Sequence, residues 1–139
     1  MKVYVYFMGK PRDKHANGIA AEYLKRSSRY AKCEMRQVRP ERFDPIARHA
    51  GAWVVGLDPA GNVLDSGGFT SLVRQMEEEA RDLVFLIGGH DGLPEQWRKA
   101  AGGLLSLSAM TFPHELARAI LAEQIYRAFT GLRGHPYPR

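Results

Sequence analysis

Residues 2–8, KVYVYFM, form a β-branched and aromatic run that stops at Gly9 and Pro11. Such a run reads as a strand buried on both faces. A strand covered on both sides belongs to a parallel sheet with helices above and below it, and the chain that follows supplies those helices. Asn17 can cap a helix over about residues 18–31, with Ile19, Tyr23, Leu24 and Ala31 toward the core. A short strand is predicted at 33–38. Asp44 followed by Pro45 is an N-cap with proline at the first helical position, opening a short helix to about Ala50. AWVVGLD (52–58) is a third strand closed by the turn signal PAGN. Phe69, Leu72, Val73, Met76 and Ala80 recur at helical spacing over 69–81, with Glu77, Glu78 and Glu79 mostly facing water. DLVFLIGG (82–89) is a fourth strand, 94–101 a short helix, GGLLSLSAM (102–110) leads through a fifth strand, and 114–130 is the last helix. Strand and helix alternate five times. The expected architecture is a parallel-sheet α/β/α sandwich, a single domain spanning residues 1–139.

Composition agrees with an ordinary globular chain, at 45% hydrophobic and 25% charged residues. No run approaches the roughly 18 to 20 apolar residues of a membrane span. The N-terminus has no long apolar segment with a small-residue cleavage site, so the expected location is cytoplasmic, with no membrane partner. The single cysteine, Cys33, leaves no internal disulfide, and no thiolate zinc site; it reads as a half-buried strand residue rather than a catalytic thiol. Twenty Lys and Arg against fifteen Asp and Glu give a net charge of +5, with the basic excess concentrated before residue 50. That balance suits a polyanionic partner.

Ligands of open α/β sheets bind beyond the carboxyl ends of the strands. Three strands end in GLD (56–58), IGGHDG (87–92) and LSAMTFPH (107–114); if neighbours, they form one pocket. Gly88 and Gly89 permit positive φ and close backbone approach to a ligand, or else a tight turn leaving the strand. The dinucleotide fingerprint, the phosphate-binding P-loop and the nucleophile-elbow serine motif are all absent. The five histidines show no metal-ligand spacing, so no metal is expected.

The last helix is unusual. Leu121, Ile125 and Phe129 share a stripe into which Arg118 falls, a cation either snorkelling at a helix end or meeting a second surface. Leu116, Ile120, Glu123 and Arg127 line the opposite side, with Glu123 and Arg127 in the favourable i, i+4 orientation. Apolar residues on both faces point to the core on one side and a partner subunit on the other, hence a homodimer.

GLDPAGNVLDS (56–66), FLIGGHDGL (85–93), LSLSAMTFPHELARAILAEQIYRA (105–128) and GHPYPR (134–139) together resemble the bacterial ribosomal RNA large-subunit methyltransferase H family of the SPOUT class. The resemblance runs from Met1 to the end and is dense in the last 90 residues. It implies a C-terminal trefoil knot, a rare exception to unknotted topology. It implies a homodimer that binds S-adenosylmethionine in the knot and methylates N3 of a pseudouridine in 23S ribosomal RNA of the assembled ribosome. Matched by motif, the cofactor pocket would comprise Leu57, Gly88, Gly89, Leu107, Ser108, Ala109, Met110, Thr111 and Phe112. A methyl donor of this kind needs neither a metal nor a phosphate cradle.

One departure stands out. The family tail reads tyrosine, histidine, basic residue, whereas this chain ends Tyr137, Pro138, Arg139. Proline neither accepts a proton nor donates a side-chain hydrogen bond. Either the histidine is dispensable, or His135 substitutes for it, or activity is weakened. His135, Tyr137 and Arg139 are the tail candidates for catalysis; Lys10, Arg12 and Lys14 after the first strand are candidates for RNA contact, as is Arg127 for RNA or the interface. Two other readings keep the fold: a SPOUT methyltransferase of another RNA nucleotide, and a ribosome-binding protein with weakened catalysis.

Overall fold

In the computed structural model, which describes residues 1–138, β1 (Lys2–Phe7) is flanked on both sides by parallel neighbours. The five-stranded sheet has the order β2-β1-β4-β3-β5, with β2 at Lys32–Gln37, β3 at Trp53–Val63, β4 at Leu83–Ile87 and β5 at Gly103–Ser106. All pairings are parallel. Helices α1 (Lys14–Ser27), α3 (Ser66–Glu78) and α5 (His114–Leu132) cover one face, and α5 packs against both others. The opposite face carries α2 (Pro45–Arg48), a 3₁₀ turn at Pro40–Arg42 and α4 (Glu95–Ala100).

Strand alternation sorts the core into two layers. Val3, Val5, Phe7, Leu83, Phe85 and Ile87 meet Leu121, Ala122, Ile125 and Phe129 of α5. Tyr4, Tyr6, Val84 and Leu86 point the other way, onto Trp97 and Phe43. Each large apolar side chain so buried contributes roughly 1.5–3 kcal/mol before the entropy of ordering is subtracted. The expectation of a strand buried on both faces holds for β1, and more completely for β4, whose five residues are all buried.

Several boundaries move. α1 is capped by Asp13, whose carboxylate accepts from the backbone N–H groups of His15 and Ala16, and this cap lies four residues before the expected Asn17 cap. Asn17 lies in the second turn, and its side chain is engaged elsewhere, as described below. The buried face of α1 is Ala16, Ala20, Leu24 and Ser27, which leaves Ile19 48% exposed. The turn signal PAGN does not close β3. Pairing with β5 skips from Leu57 to Asn62, so residues 58–61 bulge out and the strand resumes. Gly61 permits this, because a β-carbon there would lie 2.6 Å from the Leu104 carbonyl carbon. α3 ends at Glu78, and Ala80, expected on its apolar face, is exposed with φ +53°. Asp44 does cap α2, with Pro45 following. Cys33 is a partly buried residue of β2 whose thiol burial pushes up to about 12, an inert thiol.

Candidate functional site

The sheet order decides where a pocket can form. β3 lies between β4 and β5, so the three strand ends singled out in the sequence are neighbours. Beyond them lies a cavity of about 540 Å³, within the usual size range of small-molecule sites. Leu57, Asp58 and Pro59 line it from β3, Ile87, Gly88, Gly89, His90 and Gly92 from β4 and its loop, and residues 105–114 with Ala117 from β5 and the start of α5. All nine residues expected at the cofactor pocket are among them. Asp58 and His114 also line it, within the strand ends expected to form the pocket though not among the nine matched residues, and Ser106 lines it without having been expected there.

The wall contributed by residues 106–113 is shaped by two hydroxyls. Ser106 Oγ donates to the Ser108 carbonyl at 2.7 Å, and Ser108 Oγ accepts from the Met110 N–H at 2.9 Å. These bonds fold the exit of β5 back on itself and leave Met110 74% exposed at the rim. The mixed composition of SLSAMTFP thus has a local cause: hydroxyls satisfy backbone groups that no neighbouring strand pairs. On the β3 side, Asp58 accepts from the Ala60 N–H at 2.7 Å and pairs with Arg98 of α4 at 2.9 Å. Both bonds hold the bulge in place.

Neither Gly88 nor Gly89 has positive φ; that conformation falls on Gly92, at +81°. Gly88 is required for another reason, since a β-carbon there would overlap the Gly92 carbonyl. The tight-turn reading therefore holds for Gly88, whose hydrogen is what lets the loop fold back. Among the described residues no cluster of His, Cys, Asp or Glu could hold a metal ion, and no helix is long and apolar enough to cross a membrane.

The tail stands apart from this pocket. Tyr137 packs edge-on against Tyr126 at 4.6 Å, and its hydroxyl donates to Tyr23 Oη at 3.2 Å. Burial, then the Tyr23 hydrogen bond, raises its pKa above the ordinary value. His135 Nδ1 accepts from the Tyr137 N–H at 3.1 Å. Arg127 pairs with Glu123 at 2.8 Å, as the spacing predicted, and lies 5.5 Å from the Tyr137 ring centroid. Arg139 lies outside the described residues. Tyr126 is nine residues along α5 from Ala117, the last residue of that helix to line the pocket, about 13.5 Å at 1.5 Å per residue. One chain's tail and its own pocket are therefore separate.

Lys10, Arg12 and Lys14 are exposed, and β1 ends beside β4, so the basic loop 9–13 lies next to the pocket. Arg118 corrects the expectation most sharply. It neither snorkels nor faces a second surface but is fully buried, donating to Asn17 Oδ1 at 3.1 Å and to the Met8 carbonyl at 3.0 Å.

Against known proteins, a family model described as "Predicted SPOUT methyltransferase" matches residues 1–138. The chain belongs to the SPOUT methyltransferase family. Within it, the chain is 61% identical over the full length of both chains to a protein of Solibacter usitatus (strain Ellin6076) named ribosomal RNA large subunit methyltransferase H. A protein of the same name from Sorangium cellulosum (strain So ce56) is 40% identical over 99% of each chain. Solved structures carry the SPOUT fold at low identity. A probable methyltransferase from Bordetella pertussis Tohama I superposes with a TM-score of 0.62 at 13% identity, over 92% of this chain and 94% of that one. An AdoMet-bound rRNA methyltransferase from Sinorhizobium meliloti gives 0.55 at 18% identity, over 91% and 56%.

Proposed function

We propose that this protein is an S-adenosylmethionine-dependent methyltransferase of large-subunit ribosomal RNA, acting on N3 of a pseudouridine in 23S RNA of the assembled ribosome. The observation that carries the reading is the meeting of all nine matched residues around one cavity at the ends of β3, β4 and β5. The residues fit the cofactor. Leu57, Ile87, Leu105, Leu107 and Phe112 offer an apolar slot, the 107–110 backbone offers donors and acceptors, and among the described residues no Lys or Arg lines the cavity to suggest a phosphate chain. When bound, S-adenosylmethionine supplies an electrophilic methyl group on a sulfonium. The chain's own contribution is to orient donor and acceptor and to exclude water. The acceptor imide must also lose its N3 proton, and a base or cation near it assists that step.

The separation of about 13.5 Å along α5 between pocket and tail supports a homodimer, in which His135, Tyr137 and Arg139 of one copy serve the pocket of the other. Exposed Leu116 of α5 and Ile19 of α1, with partly buried Ile120, Glu123 and Arg127, offer surface for that contact. α5 leaves an edge strand yet packs between α1 and α3, which supports the C-terminal trefoil knot implied by the family resemblance. Lys10, Arg12 and Lys14 form the RNA-facing edge of this single cytoplasmic domain, and Arg127 belongs to the dimer contact.

The test is transfer of labelled methyl from S-adenosylmethionine to ribosomes lacking the modification, with the modified base located by mass spectrometry. Label on another RNA nucleotide selects the first alternative. Cofactor binding without transfer selects a ribosome-binding protein with weakened catalysis, the reading that Pro138 favours. In that case Pro138→His restores turnover if the tail histidine is what was lost.

A further inference from the structure

The N-terminal end of α5, through Glu115 and Arg118, grips both ends of the basic loop. At its start, where β1 ends, Arg118 Nη2 donates to the Met8 carbonyl at 3.0 Å. At its end, Glu115 Oε1 accepts from the Arg12 N–H at 2.6 Å and from the Asp13 N–H at 3.2 Å. Asn17 joins the two: its Nδ2 donates to Glu115 at 3.0 Å, and its Oδ1 accepts from Arg118 at 3.1 Å. Between the gripped ends, Gly9 takes φ +83° and the chain turns outward, which puts Lys10 at the exposed tip. The same helical turn continues the cavity wall, since His114 and Ala117 line the pocket.

We propose that Glu115 and Arg118 are positioning residues that clamp loop 9–13 so that Lys10 and Arg12 meet ribosomal RNA beside the methyl-transfer pocket. The inference rests on the functional reading above for its RNA partner and on geometry for the clamp. A carboxylate is a poor neighbour for phosphate, and net charge alone assigns Glu115 a weakening effect on RNA binding. Its four convergent polar neighbours give it a different use. Three N–H donors converge on its Oε1, and Arg118 stands 3.8 Å from that oxygen as counter-charge. The loop is thereby held in one shape before RNA arrives, so less ordering entropy opposes binding.

Two readouts test this. The first is hydrogen exchange at the Arg12 and Asp13 amides in the free protein. Glu115→Ala is expected to speed exchange at both by about tenfold, the loss of one charge-assisted hydrogen bond each, while Glu115→Gln, which keeps an acceptor oxygen, retains most protection. The second is affinity for ribosomes lacking the methyl mark, by filter binding. Glu115→Ala is expected to weaken it about fivefold although it removes a negative charge, and to have no further effect on a Lys10→Ala/Arg12→Ala background. Unchanged amide exchange in Glu115→Ala overturns the clamp. Tighter ribosome binding, or effects that simply add across the cycle, overturns its link to RNA. Failure of the unaltered protein to bind or methylate ribosomes overturns the functional reading instead, and the exchange measurement still decides the clamp.

Discussion

The Arg118 guanidinium lies 3.8 Å from the centroid of the Phe7 ring, stacked on the last residue of β1 inside the core. Burial lowers its pKa from the ordinary arginine value, and Glu115 opposes that shift. A buried cation with this many partners cannot be truncated cheaply, because Asn17 and the Met8 carbonyl lose their donors together. Arg118→Ala is expected to cost about 3–5 kcal/mol in urea or guanidinium unfolding. Arg118→Met, which keeps volume without charge, should cost clearly less.

Acid should find Glu115. The Arg12 and Asp13 backbone N–H groups hold its carboxyl at about 2, below the ordinary 4.5. A carboxylate depressed in the folded state stabilises that state fully above its unfolded value and loses the contribution as pH falls through the folded one. The stability difference between the unaltered protein and Glu115→Gln is therefore expected to be flat above about pH 5 and to shrink steadily toward pH 2. Thermal melts across that range measure it. A difference independent of pH would show that the carboxylate's charge is irrelevant to the fold.

Adjacent glycines should respond oppositely. Gly88→Ala drives a methyl group into the Gly92 carbonyl, whereas a β-carbon on Gly89 meets nothing closer than Met8 Cβ at 3.7 Å. The first should destabilise by about 1–3 kcal/mol, as overpacking does, and abolish S-adenosylmethionine binding. The second should fold normally. Calorimetric titration of both variants separates a backbone requirement from a cofactor contact, because loss of binding in a stably folded Gly89→Ala protein would point to the ligand.

Ser108→Ala removes the acceptor for the Met110 N–H and frees the wall segment. The loss is expected to be about 1 kcal/mol, roughly fivefold in cofactor affinity, with little change in melting temperature.

How far the sequence alone reached follows from the range of the forces involved. The β-strands and the pocket ends were legible because burial on both faces leaves an apolar run, and strand ends announce themselves with glycine and polar residues. The α1 cap was missed because Asp13 and Asn17 are both good caps four residues apart. Glu115 and Arg118, about a hundred residues away, engage Asn17 and leave capping to Asp13. Arg118 was misread for the same reason, as its hydrogen-bond acceptors, the Met8 carbonyl just past β1 and Asn17 of α1, have no signature within α5. The β3 bulge was hidden because PAGN has the composition of a turn, and only the Leu104 backbone against Gly61 shows that the chain returns to its strand.

The placement of α5 bears on how the molecule comes into being. Leu121, Ala122, Ile125 and Phe129 cover the apolar side of β1 and β4, and they are synthesised after every strand. A nascent chain that has made its sheet therefore carries an apolar face that α1 and α3 cover only in part, in the parallel topology that is slow to assemble and exposed to aggregation. The pocket wall at 105–114 arrives in the same final segment. A ligand of that pocket can act only on finished molecules, and it stabilises them by mass action.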